Sequence, residues 1–111
     1  MILNKGSIYF FMLLYLNLSY SQDYIKGIIT DIESTAIQNC NIILKNNTGK
    51  IISYTYTDEL GKYVLKTDKL GQFVLVASSM GFKQKNFDIT IENKNETKTI
   101  DFILISKVTE I

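Results

Sequence analysis

Chemistry in a polypeptide needs a base, a nucleophile or a metal cradle, and the side chains here that come nearest are Cys40, the adjacent carboxylates Asp58 and Glu59, and the tyrosines Tyr54, Tyr56 and Tyr63. The chain of 111 residues has no His, which removes the usual general base, the commonest zinc ligand and the physiological pH switch together. Cys40, the single cysteine, would be a nucleophile only beside a base or positive dipole that lowered its pKa, and the neighbouring sequence supplies neither. It shares parity with Ile42 and Leu44 and reads as a small core side chain. Being alone, it can form no intrachain disulfide. Asp58 and Glu59 point in different directions as neighbours on a strand end, so they read as a turn initiator and a solvated companion. A lone Asp with two or three carbonyls falls short of the roughly six to eight oxygens that calcium takes. There is no phosphate loop, no metal-spaced Cys or His pair and no triad. The expectation is a non-enzyme with no cofactor and no metal. The tyrosines would form a platform for a sugar ring if they shared an exposed face; Tyr54 and Tyr56 share parity with Ile52, and that face reads as the core side of a strand with the hydroxyls at the rim.

The elements that would position these residues are punctuated by a repeat. Thr57-Asp58-Glu59-Leu60-Gly61-Lys62-Tyr63-Val64-Leu65 recurs as Thr67-Asp68-Lys69-Leu70-Gly71-Gln72-Phe73-Val74-Leu75. In each copy Asp can bond its own backbone two residues on, Gly supplies a positive φ, and an aromatic and β-branched run follows. The repeat predicts a β-meander in the middle of the chain. No stretch is long and periodic enough for an amphipathic helix. Strands are expected near residues 24–31, 41–45, 51–57, 62–66, 72–79, 84–91 and 98–105. Phe73, Leu75 and Ala77 alternate with Val74, Val76 and Ser78; Phe87, Ile89 and Ile91 alternate with Asp88, Thr90 and Glu92; Ile100, Phe102 and Leu104 flank Asp101. Strands with one dry face each, joined by short turns, suit an all-β, seven-stranded antiparallel sandwich.

At the N-terminus, Lys5 precedes an uncharged apolar stretch over residues 8–18, and Ser19 and Ser21 precede Gln22. This is the layout of a signal peptide cleaved after residue 21. The stretch is too short for a membrane anchor, which needs about 20 apolar residues, and no Cys follows it to carry a lipid. The remainder is one small domain, residues 22–105, with residues 106–111 as the start of a linker. Its eleven Lys and eleven acidic residues are interleaved, and there is no Arg. Such a surface argues against nucleic acid, which takes clustered positive charge.

Four blocks then resemble a known family: Ile25-Lys26-Gly27-Ile28-Ile29-Thr30-Asp31, Asn39-Cys40-Asn41-Ile42-Ile43-Leu44-Lys45, Thr55-Tyr56-Thr57-Asp58-Glu59-Leu60-Gly61-Lys62-Tyr63 and Ser78-Ser79-Met80-Gly81-Phe82-Lys83. Their order and spacing are similar to those of the carboxypeptidase regulatory-like domain. The resemblance implies a transthyretin-like (prealbumin-like) sandwich in which Gly27, Asp31, Asp58, Gly61 and Gly81 are structural turn or close-packing residues and none is catalytic. The family commonly has Pro before its second strand; this chain has Ala36-Ile37-Gln38 there and no Pro anywhere. In Bacteroidetes-type members the domain follows a signal peptide and precedes the plug and barrel of a TonB-dependent outer-membrane transporter. The resemblance thus implies an exported accessory domain at the periplasmic face of the outer membrane with a protein partner. The alternative is a free-standing secreted module for glycan or peptide.

Overall fold

The computed structural model describes residues 23–93 and 96–107; the expected signal peptide and the end of the expected linker lie outside them. The strands are β1 (Asp23–Thr30), β2 (Asn41–Asn46), β3 (Ile51–Tyr56), β4 (Lys62–Thr67), β5 (Gly71–Ser78), β6 (Lys85–Ile91), β7 (Thr97–Thr99) and β8 (Phe102–Ile103). One sheet has the order β3-β2-β5-β6, antiparallel throughout. The other centres on β1, with β4 antiparallel on one side and β7 and β8 parallel on the other. This is the all-β sandwich that the alternation predicts. The final strand is broken into β7 and β8, which share the offset Lys26↔Thr99 and Ile29↔Phe102 and so run end to end along one flank of β1.

Alternation builds the core. On β4 every second residue is buried (Tyr63, Leu65, Thr67). Ile25 and Ile29 from β1, Ile42 and Leu44 from β2, Leu75 and Ala77 from β5, Ile89 and Ile91 from β6, and Phe102 and Leu104 meet them in one apolar cluster. Each Ile, Leu or Phe side chain among them contributes about 1.5–3 kcal/mol on burial. Cys40 is buried in the same cluster.

The central meander is not what forms. β4 pairs neither with β3 nor with β5; it crosses to the other sheet beside β1, and β5 crosses back beside β2. The turn signal specifies a reversal of direction but not the sheet in which the next strand lands. With β2 lying between β3 and β5, the inward face of β4 covers the core from the opposite side. The loose flank between the sheets is tied by the Ser53 hydroxyl, which donates to the Lys66 carbonyl at 3.0 Å.

Candidate functional site

The most tightly built feature of the fold lies where β1, β4 and the broken strand meet. A parallel ladder would have the Ile28 N–H donate to the Ile100 carbonyl, continuing the bond from Ile100 N–H to the Lys26 carbonyl (2.8 Å). Instead the Ile28 N–H donates to Asp101 Oδ1 at 2.8 Å, and the Ile100 carbonyl accepts the Tyr63 hydroxyl at 2.6 Å. The exchange breaks the strand between β7 and β8 while leaving both polar groups bonded. It requires a glycine beneath it: a Cβ at Gly27 would collide with the Ile100 carbonyl and meet the Tyr63 ring at 2.9 Å. Burial, reinforced by the Asp101 carboxylate, pushes the Tyr63 phenol well above its ordinary value. Tyr63 is thus a neutral hydrogen-bond donor and not a proton-transfer group.

Asp31 and Asp58 each organise a five-residue loop of the same design. Oδ1 of Asp31 accepts from Glu33 and Thr35 N–H (2.8 and 2.9 Å), and Oδ1 of Asp58 accepts from Leu60 and Lys62 N–H (2.9 Å each). Asn46 does the same with Thr48 and Lys50 N–H (3.0 and 2.8 Å). The fourth loop position is left-handed in all three: Ser34 at φ 66°, Gly49 at 86° and Gly61 at 76°. Gly61 is also crowded, since a Cβ there would lie 2.6 Å from the Ile29 carbonyl. Gly81, at φ 86°, has open space around it and serves its turn alone. The second copy of the sequence repeat departs from this design, because Lys69 N–H bonds the Thr67 hydroxyl (3.1 Å) and Asp68 takes no part. These five sequence-nominated residues are distributed among separate turns and packing contacts rather than gathered into one site.

Sequence reasoning missed Thr57, which is 3% exposed. Its hydroxyl donates to the Ile37 carbonyl (2.6 Å) and accepts from Cys40 N–H (2.8 Å), pinning the proline-free loop before β2. No local signal marks it, because the inward parity that Thr57 shares with Ser53 and Thr55 is set by the bulge in β3. Burial pushes the Cys40 thiol up to about 11, so the thiolate needed for nucleophilic chemistry is suppressed at neutral pH. Among the described residues no group of three or more His, Cys, Asp or Glu could hold a metal ion.

The tyrosines of β3 correct the sequence reading. Tyr54 and Tyr56 are 65% and 55% exposed, with rings edge-to-face at 6.2 Å. The reason is a β-bulge: Leu44 opposes Ser53 but Lys45 opposes Ile51, so Ile52 is the extra residue. It packs partly into the core, and parity reverses beyond it, sending Ser53 and Thr55 inward and the tyrosines outward. Tyr63 is buried and does not join them.

Two sheets, one built around β1 and the other around β2 and β5, joined by sheet-crossing turns, define a transthyretin-like sandwich. The carboxypeptidase regulatory-like domain family matches residues 24–105, and the chain belongs to it. Among solved structures it is similar to the Bacillus anthracis TIE protein (TM-score 0.66, 18% identity, covering 77% of this chain and 17% of that one). It is also similar to Klebsiella pneumoniae 5-hydroxyisourate hydrolase (0.61, 16%, 78% and 92%) and to BcpA, the major pilin subunit of Bacillus cereus (0.65, 15%, 78% and 31%). At these identities the likeness is one of fold. No curated protein matches the sequence.

Proposed function

We propose that the chain is a non-catalytic accessory domain acting through protein contacts, placed at the periplasmic face of the outer membrane as the leading domain of a TonB-dependent receptor or transporter. The observation that carries this reading is membership of a regulatory-like domain family across residues 24–105. The export layout of residues 1–21 and the resemblance to Bacteroidetes-type members support the cellular placement. The buried thiol and the hydrogen-bonded phenol support a role without catalysis. Reading the gene past the codon for Ile111 tests the placement: a frame running on into a plug and alternating barrel strands is expected, and an immediate stop codon would overturn it.

A second reading rests on the exposed Tyr54–Tyr56 pair, which gives a free-standing module an aromatic surface for glycan or peptide. It predicts quenching of tyrosine fluorescence by a ligand, abolished in Tyr54→Ala. Glycan and peptide panels that leave the emission unchanged would count against it.

A further inference from the structure

The two sheets are unequal in width. At any level the sheet containing β1 is three strands across, because β7 and β8 lie end to end, while the other is four across. The fourth strand, β6, therefore has no complete partner facing it. Phe87 shows the consequence: it pairs with fully buried Leu75 and touches Phe102 edge-to-face at 6.3 Å, yet it is 47% exposed. Along this flank lies a groove of about 420 Å³ lined by Phe87, Asp88, Thr90, Glu92, Thr99 and Ile100, among others.

The hydrogen bonding of the broken strand shows which part of the flank is open. The Glu96 carbonyl accepts from Tyr24 N–H, Ile100 N–H donates to the Lys26 carbonyl, and Leu104 N–H donates to the Thr30 carbonyl. Even-numbered residues thus serve β1, and the alternation of a ladder turns the backbone groups of odd-numbered residues outward. Two of those outward carbonyls are occupied: Ile105 accepts from Lys83 N–H (2.8 Å) and Ile103 from the Lys85 ammonium (3.4 Å). The bridge Phe82↔Ser106 closes the same end. Beyond it the ladder alternation turns the N–H and C=O groups of Thr97 and Thr99 away from β1, and Thr99 lines the groove.

Resting on the reading of this domain as an interaction module, we infer that the open half of this flank accepts an extended strand from another protein, which pairs with Thr97–Thr99 and lays apolar side chains over Phe87. An unpaired edge templates such addition. Charge selects the strand: Asp88 and Glu92 line the groove without an ion pair among the described residues, while its cation Lys98 is engaged by Glu96 at 3.4 Å. The occupant is therefore a strand alternating apolar and basic residues.

The test uses the full chain, 15N-labelled, titrated with an octapeptide of alternating Lys and Val. Expected are shifts and slowed amide exchange confined to residues 97–99 and 87–92. Replacing the peptide's lysines by Glu, or introducing Glu92→Lys into the chain, should weaken binding by about three- to tenfold, as rim charges of up to ~1 kcal/mol each imply. Thr99→Pro removes one outward donor without touching a bond to β1, and an edge position tolerates it; it should abolish the shifts. If the peptide instead perturbs the β3 edge, the assignment of this flank is overturned while the interaction-module reading stands. Unchanged binding in folded Thr99→Pro and Glu92→Lys, or no binding at all, also overturns the assignment.

Discussion

Gly27→Ala is the sharpest perturbation of this fold. The added methyl occupies the space through which the Ile100 carbonyl reaches the Tyr63 hydroxyl. The backbone of β1 is held on both flanks by β4 and β7, so it cannot move away without loosening one ladder. Overpacking of this kind costs about 1–3 kcal/mol, and separating a part-buried hydroxyl from its carbonyl adds about 1–3 kcal/mol. The sum, roughly 2–6 kcal/mol, is a large part of the ~5–15 kcal/mol that holds a typical domain. Urea denaturation of wild type, Gly27→Ala, Tyr63→Phe and the double variant measures it. Tyr63→Phe alone should cost about 1–2 kcal/mol, because the ring stays and the bond goes. The double variant should cost less than the two singles together, since both act on the bond at Ile100. A Gly27→Ala chain within about 0.5 kcal/mol of wild type, or strict additivity in the cycle, would refute the reasoning.

The two copies of the sequence repeat should separate by mutation: Asp58→Ala loses two backbone bonds and should cost about 1–2 kcal/mol, whereas Asp68→Ala should be near neutral in the same urea titration. Ser34→Gly relieves a left-handed Ser at φ 66° and should stabilise by up to about 1 kcal/mol, read as a higher melting temperature. Cys40 should resist alkylation in the native chain at pH 8. Burial pushes its thiol up from the ordinary 9.0 to about 11, so its contribution is complete below pH 9 and falls as pH rises between these values. Cys40→Ala should flatten that part of the melting-temperature profile, and an equal slope in both chains would contradict the burial argument.

The fold class was legible because period-two alternation survives in β4, β5 and β6, and the burial of Cys40 followed from its parity with Ile42 and Leu44. Three features were not legible, each for a local reason. Nothing in Thr57–Gly61 encodes whether the following strand stays in its sheet, so the repeat predicts a meander where two crossings stand. A single extra residue at Ile52 inverts the face of Tyr54 and Tyr56, and bulges leave no mark in composition. The break at Asp101 depends on Tyr63 and Gly27, distant in sequence, and so could not be found by scanning along the chain. The shared loop design at Asp31, Asn46 and Asp58 was partly visible, but Ser34 in the glycine position and Asn46 in the aspartate position hid the kinship.

The partnership between β1 and the final strand has a temporal consequence. β1 is the first of the described strands to be made, yet the strand on its other flank begins at Thr97, so a chain emerging end-first must hold β1 against β4 alone until almost the whole domain has appeared. Such long closures slow folding. A chain stopped before Phe102 would lack the Phe102 and Leu104 side chains that complete the core, and should be selectively destroyed by proteases during synthesis while the finished domain survives.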